Sequence, residues 1–274
     1  MQDPFELIAE RLGPGGRCLL MPNGGNLGDC LIASATIQRL DRSGMPWSLL
    51  RGQRKTLARG DVLAYGGGGS LVPLYQGGRE CIESLLGLAR PLELPLFVLP
   101  QSIHGHEDLW ANVRNATVFC RDAASLRFMS GFGHLAALPG HDLATGLDLA
   151  AEPFSTVQAI RDAHAARGET RPLHAFRADA EAAGAPVAGS LDLSGLAHPP
   201  MTSIASIHAH AAAFLAAVAT FSEIHTDRLH VAIAGGLLGI PTSLHDNRYG
   251  KNRGVFDMTL SGRFPAVRFH EGPR

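Results

Sequence analysis

The chain has 274 residues, 45% of them apolar and 18% charged, with a formal net charge of −1. That length suits two domains of ordinary size with real cores, and the composition excludes wholesale disorder. The near-neutral charge offers no field for nucleic acid, so any anion site must be local, built from a few arginines and backbone amides.

The opening Met1-Gln2-Asp3-Pro4-Phe5-Glu6 carries acids where a signal peptide would need bases and then a long apolar run. Arg17-Cys18-Leu19-Leu20-Met21 reads as a buried strand. A Gly/Asn loop follows, and then residues 29–40 place apolar side chains at helical spacing. Residues 61–65 read as a second strand, running into a loop at Gly66-Gly67-Gly68-Gly69-Ser70. A helix is predicted over 79–89, a strand over 96–99 stopped by Pro100, a strand over 117–120, and a helix over 122–129. The stretch 150–200 is rich in Ala, Gly and Pro, with a helix at 156–166 and a strand at 172–176. Periodicity returns with helices at 203–220 and 227–238 and strands at 221–225 and 241–245. Strands alternating with helices imply an α/β fold with mostly parallel sheets. The pattern divides into two domains, 1–150 and 151–274, with the final residues free to pack back on the first.

The most apolar segment, 211–221, is about half of a ~20-residue membrane span, so no integral membrane segment is expected. Cys18, Cys30, Cys81 and Cys120 lie far apart with no C-x-x-C pair, which fits reduced thiols in a cytoplasmic protein.

In open α/β sheets ligands bind beyond the carboxyl ends of the strands, and the polar segments of this sequence fall there. In Asn26-Leu27-Gly28-Asp29 the glycine permits a close backbone approach, and the helix start presents free amides. A plain helix cap at Asp29 explains the same residues equally well. Four consecutive glycines, with Gly67 and Gly68 at their centre, cost roughly 0.5–1 kcal/mol each in ordered structure, which a close approach to a ligand would justify. Gln101, Ser102 and His104 offer hydrogen bonds to sugar hydroxyls. His104 and His106 share a face on an extended segment but have no third ligand, so no metal site is expected. Arg121 sits at a strand end, at the entry to a helix, and Arg228 in Thr226-Asp227-Arg228-Leu229-His230 does the same in the second domain. Inside a regular helix Arg228 and His230 diverge by about 200°, so they converge only where the backbone is still turning. Two arginines suit a doubly anionic ligand. On the residues alone, an Arg–Asp salt bridge at each place is the simpler reading.

These segments in this order resemble the polysaccharide pyruvyl transferase family. The matching stretches are Gly25-Asn26-Leu27-Gly28-Asp29, residues 65–70, Leu99-Pro100-Gln101-Ser102, Arg121-Asp122-Ala123-Ala124-Ser125, Thr226-Asp227-Arg228-Leu229-His230, and Asp246-Asn247-Arg248-Tyr249-Gly250-Lys251-Asn252. Phe176-Arg177-Ala178-Asp179-Ala180-Glu181 looks like the arginine–acid segment that opens the family's second domain. The resemblance implies two Rossmann-like domains facing a cleft in a GT-B-like arrangement. It implies phosphoenolpyruvate as donor substrate, no cofactor, and a saccharide acceptor that is lipid-linked or nucleotide-linked, hence transient membrane contact. Carried over by position, Arg121, Arg228 and His230 would hold phosphoenolpyruvate, with Leu229 contributing backbone contact. Asn26, Gly28, Asp29, Gln101, Ser102 and His104 would lie toward the acceptor, with Lys251 bordering the cleft. His230 is then the acid by residue type, and Asp29 the candidate base. Residues 182–202 match the family poorly, and the oligomeric state is not legible. The rival readings are a nucleotide-sugar glycosyltransferase, with Glu223 for the ribose hydroxyls, and a non-catalytic saccharide- or phosphate-binding relative.

Overall fold

Two parallel sheets organise the described residues, 1–50, 57–168, 170–185 and 187–272, of the computed structural model. The first has the order β2-β1-β3-β5-β6-β7, built from β1 (Cys18–Met21), β2 (Trp47–Leu49), β3 (Val62–Tyr65), β5 (Leu96–Ile103), β6 (Ala116–Cys120) and β7 (Ala136–Pro139). A further strand, β4 (Gly68–Leu71), pairs with β5. The second sheet has the order β11-β10-β9-β8, from β8 (Pro172–Ala175), β9 (Glu223–Thr226), β10 (Thr242–Leu244) and β11 (Val267–Phe269). The α/β class with parallel sheets therefore stands. By contact density the chain divides into one unit of Met1–Asn23 with Thr36–Leu143 and another of Gly24–Ala35 with Ala144 onward.

In the first unit α1 (Pro4–Arg11) begins at Asp3, whose carboxylate accepts the Phe5 amide at 2.8 Å, with Pro4 pre-set at the first helical position. The core lies where α3 (Gln76–Ala89), α4 (Glu107–Asn112) and α5 (Ala123–Ser130) cover the sheet, around Leu19, Leu63, Val98 and the fully buried Trp110. Strand order reverses at β1, since β2 lies on one side of it and β3 on the other. The loops leaving β1 and β3 thus flank the crevice where such sheets open.

Two expectations are corrected here. The strand predicted to stop at Pro100 runs on to Ile103. The register between β5 and β6 shifts between Val98 and Gln101, so the missing proline N–H falls in an irregular stretch of the ladder. The glycine run is not all loop either. After Gly66 and Gly67 the chain re-enters the sheet as β4 beside the second half of β5, with Gly68 at φ 150°, a backbone conformation that favours glycine.

In the second unit α8 (Leu229–Leu237) is apolar almost all round and packs on β9, β10 and β11. Gly235 permits this: a Cβ there would lie 2.2 Å from Thr242 Oγ1. The strand order is monotone, and right-handed crossovers then place successive helices on one face. Burial agrees, since Leu173, Ala175, Ile224 and Thr226 are buried whereas His174 and Pro172 on the other face are exposed. The helices α6 (Ser155–Ala166) and α7 (Ile204–Val218) precede β8 and β9, and α9 (Lys251–Val255) continues into a π-turn at Phe256–Leu260. The closing strand β11 belongs to this sheet, where the sequence left the final residues free to return to the first domain. The stretch 182–202 holds a single 3₁₀ turn, Ser194–Leu196, as its regular structure among the described residues. No helix among the described residues is long and apolar enough to cross a membrane.

All four cysteines are free thiols. Burial pushes Cys18, Cys30 and Cys120 up to about 12, the charges of Asp29 and Asp122 adding to the effect at the last two. These thiols are therefore neutral in the fold, a stabilisation that is complete below about pH 9 and lost as pH rises from there toward 12. The urea midpoint is expected to fall steadily as pH rises from about the ordinary thiol pKa to roughly two units above it. In native protein a thiol reagent should modify the half-buried Cys81 first; rapid labelling of Cys18 or Cys120 would contradict this.

Candidate functional site

Parallel strands release their loops at a common edge, and in the second sheet three of those loops carry cations. After β8 comes Arg177, after β9 comes Arg228, and after β10 the chain reaches Lys251 at the start of α9. All three side chains are at least nine-tenths buried. Such charges need partners, and carboxylates supply them. Arg177 holds Asp179 through two nitrogens at 2.8 and 2.9 Å and reaches Glu181 at 3.2 Å. Glu181 is itself buried, and its Oε2 also accepts Lys251 Nζ at 2.5 Å and Asn247 Nδ2 at 3.2 Å. Arg228 reaches Asp179 at 3.2 Å and bonds Asp192 through its other terminal nitrogen. Burial pushes the Asp179 carboxyl up, but the Arg177 hydrogen bond and the charges of Arg177 and Arg228 outweigh it and hold the group below the usual range. The Arg228 Nε is buried with no hydrogen-bond partner among the described residues.

Arg228 is the N-cap of α8, with extended backbone at φ −88° and ψ 107°, so it sits where the chain is still turning. Thr226 and Asp227, by residue type the better caps, do not take that role. Instead Thr226 Oγ1 accepts the Arg228 amide at 2.9 Å while donating to the Ala175 carbonyl at 2.7 Å, and Asp227 accepts the Arg177 amide at 2.8 Å. Asn252 Nδ2 ties the same edge together, donating to the carbonyls of Asp227 at 2.7 Å and His245 at 3.0 Å. Leu229 and His230 follow as the first two helical residues of α8.

His230 meets the other conspicuous loop. Gly28, on the first turn of α2 (Leu27–Ser43), lies so close that a Cβ there would stand 2.5 Å from His230 Nδ1 and 2.6 Å from its Cβ. The loop before α2 is a reciprocal cap: Asn26 Oδ1 accepts the Gly28 amide at 2.8 Å, and Asp29 Oδ2 accepts the Asn26 amide at 2.8 Å. Asp29 therefore has the capping role that the sequence left open beside that of a base.

In the first unit Gln101 is fully buried; its Nε2 donates to the Gly66 carbonyl at 2.6 Å, and its Oε1 has no hydrogen-bond partner among the described residues. Gly66 packs against the Asn23 amide, which a Cβ would approach to 2.6 Å, and Tyr65 Oη contacts Asn23 Oδ1 at 2.8 Å and Ser70 Oγ at 2.9 Å. The glycine run thus serves a close approach of the β3 and β1 loops. Gly67 and Gly68 are buried beside it, and His104 is exposed. Arg121 is buried too, donating to Ser102 Oγ at 3.0 Å and to Asp142 at 2.5 Å, with both members of the ion pair at 2% exposure or less. Among the described residues no group of three His, Cys, Asp or Glu side chains is placed to hold a metal.

Asp192 is the functional-site neighbour that the sequence did not single out, because its segment carries no periodicity and none of the motifs that stand out by residue type. Glu181 and Asn247 were visible only as members of matching stretches.

Replacing Gly28 with Ala should displace His230 and cost about 1–3 kcal/mol, read by urea unfolding together with a changed His230 imidazole NMR signal. An unmoved imidazole would contradict the packing. Arg121→Met takes the guanidinium away from the buried Asp142 carboxylate and should cost about 3–5 kcal/mol, with a loss under 1 kcal/mol the contrary result.

The sequence model described as polysaccharide pyruvyl transferase matches residues 26–244. No curated protein matches the chain. Among solved structures, the fold is similar to that of a functionally uncharacterised protein from Klebsiella pneumoniae subsp. pneumoniae NTUH-K2044, with a TM-score of 0.80, 24% identity, and coverage of 98% of this chain and 97% of that one. That likeness shows the fold; the family match covers most of the chain, including the β8 and β9 loops of the second sheet's carboxyl edge, and ends with β10, and on it the chain belongs to the polysaccharide pyruvyl transferase family.

Proposed function

We propose that this chain transfers the pyruvyl group of phosphoenolpyruvate to a hydroxyl pair of a saccharide, forming a ketal and releasing phosphate. The observation that carries the reading is Arg228: a nearly buried guanidinium at the start of α8, with an unpartnered Nε, two residues before His230 in the chain. A helix amino terminus and a guanidinium fork both favour an anion there. Membership of the pyruvyl transferase family supports reading that anion as the donor.

In this mechanism the enol carbon of the donor takes a proton and becomes the methyl group, and the adjacent carbon becomes electrophilic. One acceptor hydroxyl adds to it, the second displaces phosphate, and the two hydroxyl protons balance the new methyl hydrogen and the released phosphate. His230 delivers the first proton, an imidazole being suited to transfer near neutral pH. Its ring is held in place by the Gly28 backbone. Arg228 stabilises the phosphate as charge develops on it, and Leu229 offers backbone contact. Lys251 and Arg177 hold Glu181 and Asp179 in place beside Arg228. Arg121 braces Ser102 and the end of β5 from within the first unit; reaching the donor would require its release from Asp142. Gln101, with its unpartnered Oε1, Ser102, His104, Gly67, Gly68 and Asn26 are assigned to the acceptor. Asp29 serves as cap and, in this reading, as base. The proposal includes a GT-B-like cleft where donor and acceptor meet, no metal or cofactor, a cytoplasmic setting, and a role in exopolysaccharide or cell-surface glycan synthesis with a lipid-linked or nucleotide-linked acceptor.

The test is to incubate the protein with phosphoenolpyruvate and a panel of glycans, following phosphate release and acceptor mass. Acceptor-dependent phosphate with the mass gain of a pyruvate ketal is expected. His230→Ala and Arg228→Ala should each lose at least ~100-fold in rate, the scale of a general acid or a charge-stabilising donor. Thermal stabilisation by a nucleotide sugar and none by phosphoenolpyruvate would overturn the proposal in favour of glycosyl transfer. Stabilisation by phosphoenolpyruvate without turnover on any glycan would favour a binding relative.

A further inference from the structure

The partners of Arg228 are unequal. Asp179 lies two residues from Arg177 and is held by it through two nitrogens. Asp192 comes from a stretch whose regular structure among the described residues is the single turn Ser194–Leu196, and it is held by neither of the other two cations. Its placement is nonetheless definite. Ser190 Oγ accepts the Phe176 amide at 2.7 Å, and the Leu191 amide donates to the His174 carbonyl at 2.8 Å, so the strap is pinned along the end of β8. Leu193 and Ser194 are buried behind it. Asp192 Oδ1 then accepts the Gly195 amide at 3.2 Å, which orients the carboxylate so that Oδ2 meets Arg228. Gly195 fits this arrangement, since a Cβ there would lie 2.7 Å from Asp192 Oδ2.

We infer that Asp192 is a built-in competitor for the anion site: its carboxylate occupies the fork of Arg228 that the donor's phosphate or carboxylate would take, and donor binding must displace it. This rests on the donor reading above. The geometry distinguishes Asp192 from an ordinary buried partner in two ways. Its side chain is 35% exposed, so on leaving Arg228 it is rehydrated rather than stranded. Arg228 meanwhile keeps Asp179 and its unpartnered Nε, so an incoming anion finds donors in place without refolding of the edge. The strap thereby sets donor affinity, lowering it relative to an empty fork while keeping a nearly buried guanidinium neutralised between turnovers.

The test is Asp192→Asn, which retains an oxygen for the Gly195 amide and removes the charge. Affinities for phosphoenolpyruvate and for inorganic phosphate are measured by calorimetry on the full chain, with urea midpoints as a folding control. Asp192→Asn should bind phosphoenolpyruvate more tightly, on the order of tenfold, the equivalent of one charge-assisted hydrogen bond. On an Arg228→Gln background the same change should give little or no gain. Equal or weaker binding by a folded Asp192→Asn protein would overturn the inference. A gain that persists without Arg228 would also overturn it, by showing a through-space charge effect. If neither form binds phosphoenolpyruvate, the donor reading fails, and inorganic phosphate still decides the competition: tighter binding by Asp192→Asn supports it and equal binding rejects it.

Discussion

Three cationic side chains are buried at one edge of a four-stranded parallel sheet, and the geometry of that edge follows from the need to neutralise them. Arg177, Arg228 and Lys251 come from three separate strand-to-helix loops. Their charges would repel one another and pay heavily for desolvation without Asp179, Glu181 and Asp192. Glu181 serves two cations and Asn247 at once, which locks the β8 and β10 loops together. Asp179 serves both arginines, which locks the β8 and β9 loops. An edge neutralised in this way remains able to exchange one internal carboxylate for an external anion.

The first unit meets the same problem with the opposite outcome. Arg121 and Asp142 form a pair almost wholly closed to solvent, and Ser102 completes the guanidinium's partners. Such a pair orients the end of β5, where Gln101 in turn holds the Gly66 carbonyl. The contrast lies in exposure: Asp142 has no water to return to, whereas Asp192 does.

Much of this was legible in the sequence. Apolar runs and helical periodicity located β1, β3, β6, α5 and α7 to within a few residues, and the requirement that Arg228 sit on still-turning backbone is met at the N-cap of α8. The Arg–Asp pairing that residue types alone suggested is present at both arginines, though with partners distant in sequence. What escaped had physical reasons. Pro100 signals a stop, but a register shift beside it absorbs the missing donor. Four glycines signal a loop, yet two of them lie in a strand beside β5. The strands β2 and β11 have three residues each, too few for any period to emerge. Asp192 escaped because its role is purely tertiary: an acid in an unpatterned stretch acquires meaning only where the strap folds against β8. The packing of Gly28 on His230 joins positions at opposite ends of the sequence, which local pattern does not reveal.

The central claim is that this edge of the second sheet receives an anionic donor at Arg228. A crystal structure of the protein with phosphoenolpyruvate tests it most directly. The account predicts the phosphate or carboxylate within hydrogen-bond distance of the Arg228 guanidinium, close to His230, with the Asp192 carboxylate swung away toward solvent. Phosphoenolpyruvate bound elsewhere, with the Arg228–Asp192 pair intact, would contradict it.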